Sequence, residues 1–257
     1  MATGVFPPDP NNRKTILILR ADDIIRCGYE PDAFHVLRNE EVYVLQFPIV
    51  PVSGEMPLAL QNILDSRHLV RPGNLLVQNP YDQDNYKVAD SALQEFATEK
   101  YMYFSTLCMY LGATEVRIEQ LDWLTHEGKI TFTANGGRLG GKAGASIDSE
   151  EMERFKSQIS VKNTFSGGPV NIPAAESLLR KIGLWADVNM RTLIDLRRSN
   201  ANLLQTHDLV LNLSTEAKRS LNVAARLVVP EFIELSANYK QIAQETKDYT
   251  LTVSVRF

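Results

Sequence analysis

The glycine-rich segment at residues 135–146, NGGRLGGKAGAS, constrains the fold of this 257-residue chain more than any other stretch. It matches the phosphate-binding pattern G-x-x-x-x-G-K-[ST] at Gly136, Gly141 and Lys142, but Ala143 replaces the hydroxyl residue that would hold magnesium. The residues after Lys142 alternate, whereas a phosphate loop needs a helix there to direct backbone N–H groups at the ligand. We therefore interpret the segment as the pliable tip of a β-hairpin and keep a degenerate nucleotide site as an alternative.

The segments on either side of the glycines alternate between apolar and polar residues, which is typical of strands. Residues 154–165 alternate over twelve positions, or about 40 Å of strand at roughly 3.3 Å per residue, about twice the usual strand length. The predicted hinge and tip consist of Gly136, Gly137, Gly140, Gly141 and Gly144. The predicted membrane- or anion-binding residues are Arg138, Lys142, Arg154, Lys156 and Lys162.

The rest of the chain divides into helical and extended patterns. Apolar runs or alternation predict strands at residues 15–19, 41–50, 74–78, 115–121, 129–135 and 208–213. Helical spacing, caps and glycine or proline stops predict helices at residues 22–27, 57–68, 91–111, 173–182, 187–198 and 215–228. Ser91 and Gln94 match a capping box, and Gly112 should end that helix. Residues 79–87 read as a polar loop, and residues 233–239 and 249–257 as the arms of a C-terminal hairpin.

This order of elements predicts an α+β fold, because no steady alternation of strand and helix points to a doubly wound sheet. We expect a twisted, mostly antiparallel sheet with long hairpins in the second half, flanked by amphipathic helices. Residues 1–257 are predicted to form a single domain after a flexible leader at residues 1–13, with an alternative sub-boundary near residue 112.

Composition narrows the functional classes. The net charge is −4, so we do not expect nucleic acid as a partner. The sequence has no apolar run of about 18 residues, and residues 1–14 contain no apolar core of a signal peptide, so the sequence predicts a cytoplasmic protein. Cys27 and Cys108 have apolar neighbours and are expected to be buried, reduced thiols.

Candidate catalytic and metal-binding residues have weak support. None of the four histidines lies at zinc-ligand spacing from another histidine or a cysteine. His207-Asp208 lacks a nucleophile motif, and the carboxylate pairs Asp22/Asp23 and Asp82/Asp84 read more simply as a helix start and a turn. Arg191, Arg197 and Arg198 are interpreted as surface ion-pairing residues beside Asp195. We therefore expect no enzyme activity, no metal and no cofactor.

The favoured function is a non-enzymatic effector that oligomerises and binds or inserts into anionic membranes through long β-hairpins. A strand of roughly 9 to 11 residues crosses a bilayer, and the basic face of residues 154–165 suits anionic lipid. The architecture resembles that of gasdermin-type pore-forming proteins, although no residue motif is shared with that family; the resemblance implies a toxin-like or cell-death effector. The alternatives are a self-assembling protein-interaction module and a nucleotide-binding enzyme that uses residues 136–143.

Overall fold

A computed structural model describes residues 6–31, 33–50, 55–125, 128–133, 138–139, 155, 157, 159, 162–198, 204–235 and 248–257. A 3₁₀ helix at Pro10–Arg13 precedes α1 (Ala21–Tyr29), α2 (Phe34–Arg38), α3 (Leu58–Asp65), α4 (Ala89–Tyr110), α5 (Ile172–Lys181), α6 (Val188–Arg198) and α7 (Thr215–Ala225). The strands are β1 (Thr15–Arg20), β2 (Val42–Phe47), β3 (Leu75–Asn79), β4 (Asp82–Val88), β5 (Glu115–Thr125), β6 (Gly128–Thr133), β7 (Arg138–Leu139), β8 (Lys162–Thr164), β9 (Thr206–Asn212) and β10 (Asp248–Arg256). The fold class is α+β, as the sequence predicts.

The chain divides into two compact units, the first formed by residues 1–95 and 216–245. Its described strands form a sheet in the order β2-β1-β3-β4, in which β1 runs parallel to β2 and antiparallel to β3. β1 is buried at five of its six positions, which explains the run of four apolar residues at 16–19. One face of this sheet packs on α3 through a core of Phe6, Ile16, Ile18, Leu45, Ala59, Leu60, Ile63, Leu69, Leu76 and Tyr86.

The second unit comprises residues 96–215 and 246–257. Its described strands follow the order β7-β6-β5-β10-β9, and β8 pairs with the first three residues of β5. Trp123 and Phe155 both pack against Tyr249, with ring centroids 5.8 and 4.5 Å away. The long helix α4 buries Phe104, Leu107 and Cys108 among other side chains. Cys108 and Cys27 are both buried and form no disulfide, as the sequence predicts.

Gly112 ends α4, as its position in the sequence predicts. It has a φ of 82°, and its N–H bonds to the Met109 carbonyl while the N–H of Ala113 bonds to the Cys108 carbonyl. This pair of bonds is the Schellman motif, which favours glycine because a left-handed φ is costly for other residues. A Cβ at Gly112 would lie only 2.5 Å from the Gly168 carbonyl oxygen, so space also requires glycine there.

The predicted twelve-residue strand at residues 154–165 is wrong. Phe155 and Ser157 are helical, and the N–H of Ile159 donates to the Phe155 carbonyl at 3.1 Å. Among the described residues of this range, strand structure is confined to β8, which is three residues long. The alternation of apolar and polar residues does not distinguish the two structures here. Phe155 and Ile159 are both buried and lie four residues apart, and that spacing fits one face of a helix as well as one face of a strand.

The predicted C-terminal hairpin is also wrong, although its second arm is a strand. β10 pairs with β5 along one edge and with β9 along the other, so neither edge is left for residues 233–239. Residues 233–235 are irregular, and residues 236–247 lie outside the described part of the chain. Pairing with distant segments has replaced the local pairing that alternation suggested.

Smaller differences concern element ends. The predicted loop at residues 79–87 contains β4, a largely polar strand that forms a hairpin with β3. α1 continues through Gly28 to Tyr29, and α4 begins at Ala89, which places Ser91 inside the helix instead of at its cap.

Candidate functional site

Most of the predicted site residues lie outside the described part of the chain. These are Lys142, Arg154, Lys156, Gly136, Gly137, Gly140, Gly141 and Gly144. Arg138 is placed only by its backbone, in β7, where it pairs with Phe132 of β6. Both the hairpin-tip and the nucleotide interpretations of this segment therefore stay predictions.

Lys162 is the one predicted anion-binding residue whose side chain is described. It lies in β8, half exposed, and its Nζ is 2.7 Å from Oε2 of Glu115 on β5. A hydrogen bond from Lys162 and its charge lower the pKa of the Glu115 carboxyl. The positive charge of Lys162 is therefore already balanced within the protein.

Other candidates from the sequence have structural roles. Asp84 binds the buried Arg13 at 2.8 Å, and Asp22 and Asp23 lie in the first turn of α1. Within the described residues, no group of three or more His, Cys, Asp or Glu side chains is arranged to hold a metal ion. Likewise, none of the described helices combines the length and apolar character needed to cross a bilayer.

Arg197 corrects the interpretation of Arg191, Arg197 and Arg198 as one surface cluster. Arg198 does pair with Asp195, at 3.7 Å, and with Glu176 of α5. Arg197 is buried instead: its guanidinium donates to the carbonyls of Leu111 and Leu204 and lies 4.2 Å from the centre of the Phe257 ring. Burial lowers the pKa of Arg197, and its role is to join the end of α4 to the C-terminus of the chain.

The turn between α5 and α6, residues 180–188, forms a rigid corner. Gly183 has a φ of 71°; its N–H bonds to the Arg180 carbonyl, and the N–H of Leu184 bonds to the Leu179 carbonyl. These two bonds are a second Schellman motif, and Leu179 and Leu184 are both buried, as the apolar pair of that motif usually is. The α5 side of the corner is thereby fixed.

Asp187 fixes the α6 side. Its Oδ1 accepts a hydrogen bond from the Met190 N–H at 3.1 Å, which caps the helix, and its Oδ2 lies 2.9 Å from Nζ of Lys100 on α4. The Asp187 N–H bonds in turn to the Leu184 carbonyl. The corner is therefore held by backbone hydrogen bonds at one end and by a buried ion pair at the other.

This fixed corner presents two cations beside apolar surface. Arg180 and Lys181 are exposed at the end of α5, and the Arg180 guanidinium lies 3.9 Å from the centre of the Trp185 ring. Val188 is 62% exposed. Neither cation has an acidic partner among the described residues, since Glu176, which shares a shallow depression with them, pairs with Arg198.

The edge strand β9 lies beside the corner. Nδ2 of Asn189, the residue after Val188, donates to the Val210 carbonyl at 2.6 Å, and the Val210 side chain is exposed. Asn189 thereby occupies an outward-facing carbonyl of the sheet edge, which disfavours pairing with another strand at that point.

The residues of this corner are not among the predicted site residues, although the sequence around Gly183 contains a pattern that could have indicated them. Arg180 and Lys181 lie two to three residues before Gly183, which separates the two predicted helices, and one of the two tryptophans follows at position 185. Basic residues near a helix end are common because they complement the helix dipole, so only the exposure of Val188 and the stacked Trp185 distinguish this turn.

Comparison of this chain with family models, curated proteins and solved structures finds no match.

Proposed function

We propose that this protein works in the cytoplasm by binding anionic membrane surfaces through the corner at residues 180–188, and that it acts by association instead of catalysis. The observation that supports this function is that two exposed cations, Arg180 and Lys181, which have no acidic partner among the described residues, lie beside the partly exposed Trp185 and the exposed Val188. Cations beside tryptophan and aliphatic side chains suit the boundary between lipid headgroups and acyl chains.

The energetics favour reversible, salt-sensitive binding. Each cation near an anionic leaflet contributes about 1 kcal/mol, and this attraction fades over a Debye length of about 8 Å at physiological salt. Val188 and Trp185 add apolar burial, at about 25 cal/mol per Å² removed from water. Because Gly183 and Asp187 already fix the corner, binding costs little ordering entropy there.

Insertion of long hairpins to form an oligomeric pore remains a prediction with less support. It relies on a long strand through residues 154–165, where Phe155 and Ser157 are helical, and on Lys162, which pairs with Glu115. The nucleotide alternative depends on residues 136–143, most of which lie outside the described part of the chain.

A vesicle sedimentation assay tests the proposal. The wild-type chain should bind vesicles of phosphatidylcholine with phosphatidylserine and should not bind phosphatidylcholine alone. Changing both Arg180→Glu and Lys181→Glu should weaken binding by about tenfold or more, because each reversed charge turns attraction into repulsion. Lys162→Glu is the matched control, since Lys162 is also an exposed cation in the same unit but is already paired.

Three outcomes would contradict membrane binding at the corner. The first is an absence of binding by the wild-type chain at low salt. The second is equal binding to neutral and anionic vesicles. The third is an equal loss of binding in the Lys162→Glu control and in the double variant.

A further inference from the structure

The outer face of α1 is a second exposed surface with apolar side chains. Asp22, Ile25, Arg26 and Tyr29 follow helical spacing and are all exposed, while Ile24 and Cys27 are buried on the opposite side. Tyr29 is 84% exposed. Ile25 and Tyr29 are neighbours on one helix face, and both apolar side chains are exposed to water. Such an arrangement is typical of a contact surface.

Charge on this α1 face is negative. Arg26 is the cation of the face, and its Nε lies 2.6 Å from Oε1 of Glu30 while its guanidinium lies 4.0 Å from the centre of the Phe232 ring. Asp22, one turn before Arg26, and Glu231, next to Phe232, are exposed and have no cationic partner among the described residues. The α1 face therefore combines apolar side chains with an excess of carboxylates.

The corner at residues 180–188 has the complementary character. It carries Arg180 and Lys181 without acidic partners in the described part of the chain, beside Trp185 and the exposed Val188. We propose that the α1 face of one copy of this chain binds the corner of a second copy. In that contact the carboxylates of the α1 face oppose the two cations, and Ile25 and Tyr29 oppose the apolar side chains of the corner.

This contact joins two different surfaces, so it is heterologous. After two copies have bound, one of them still has an unoccupied α1 face and the other has an unoccupied corner. Further copies can therefore bind until a ring closes or a filament grows. The association needs no lipid and does not depend on membrane binding. A corner held by a second copy is covered, however, and anionic vesicles that bind the corner should dissociate the assembly.

Two variants test the contact by light scattering coupled to size exclusion. The face variant carries Asp22→Lys and Tyr29→Ala, and the corner variant carries Lys181→Glu and Val188→Asp; all four positions are exposed, and circular dichroism checks that both variants fold. The wild-type mass should rise with concentration at low salt, whereas each variant alone should stay a monomer. A mixture of equal amounts should form a dimer and nothing larger, because the intact corner of one variant binds the intact face of the other.

Met102→Lys provides the control, since Met102 is exposed on α4 and should leave assembly unchanged. The inference is overturned if the wild-type chain remains a monomer at about 0.2 mM, where a micromolar contact would be saturated. It is also overturned if either variant assembles as the wild type does, or if the mixture gives no dimer. None of these results depends on vesicles, so they separate this contact from the proposed membrane function.

Discussion

Nζ of Lys100 lies 2.9 Å from Oδ2 of Asp187, and the two side chains are only 2% and 12% exposed. The same carboxylate caps α6 through its other oxygen, so a single residue orients the helix and neutralises a buried ammonium group. A buried ion pair often adds little net stability compared with apolar residues, but removing one partner is costly. The position of the corner at residues 180–188 therefore depends on this pair being complete.

Substitutions at Asp187 should separate its two roles. Asp187→Asn retains a capping side chain but removes the charge, and we expect a loss of about 3–5 kcal/mol in unfolding free energy because the buried ammonium group of Lys100 loses the carboxylate of Asp187. Asp187→Ala should cost about 1 kcal/mol more, since the cap is lost as well. Urea unfolding followed by circular dichroism measures both values.

Combining Asp187→Asn with Lys100→Met is the control, and it should recover most of the loss because the buried ammonium group is then removed together with the carboxylate. Unchanged stability of Asp187→Asn alone would show that the ion pair does not hold the corner.

Two glycine substitutions should have opposite effects. Gly112→Ala places a Cβ 2.5 Å from the Gly168 carbonyl oxygen at a φ of 82°, and we expect a loss of about 2–4 kcal/mol. Gly28→Ala lies in α1, where an added Cβ meets nothing within 4 Å, and should stabilise by about 0.4–1 kcal/mol. Thermal unfolding of both variants measures whether each substitution stabilises or destabilises the protein. A lower melting temperature for Gly28→Ala, or an unchanged one for Gly112→Ala, would contradict the prediction.

Comparing the predicted elements with the observed helices and strands shows which sequence patterns determine the structure. The apolar run in β1 and the helix ends near Gly112 and Gly183 agree with the predictions from sequence, because burial on both faces and a left-handed φ each leave few alternative structures. Alternation proved weaker evidence. It predicted β10 correctly but not its partners, since period two identifies a strand and carries no information on which distant strand it pairs with.

The candidate site was harder to foresee for a related reason. Arg180 and Lys181 are available for binding because the nearby carboxylate of Glu176 pairs with Arg198 on the neighbouring helix and no other described carboxylate pairs with them. Lys162 looked equally available in the sequence, yet Glu115, 47 positions earlier in the numbering, lies beside it in the sheet. Charge in a sequence is local, whereas charge on a surface is set by tertiary neighbours.

The carboxyl of Glu115 should titrate below the usual pH range for glutamate because Lys162 donates a hydrogen bond to it. A depressed pKa in the folded state means that the pair contributes stability above the unfolded pKa of about 4.3, and that this contribution is lost as the pH falls through the folded pKa. Carbon-detected NMR titration of the carboxyl measures the shift. Lys162→Met should return the pKa of Glu115 towards its ordinary value; an unchanged pKa in that variant would show that the ion pair is not formed in solution.

Tryptophan fluorescence should report directly on the corner. The chain has two tryptophans, and Trp123 is buried against Tyr249, so a Trp123→Phe variant leaves Trp185 as the single emitter. Because Trp185 is partly exposed and stacked under Arg180, we expect its emission to shift to shorter wavelength when anionic vesicles remove water from the ring. Neutral vesicles should leave the spectrum unchanged, and added salt should reverse the shift, since the cations supply the attraction. If the emission stays constant while sedimentation shows that the protein is bound, then the protein contacts the membrane through another surface, and the corner is not the site.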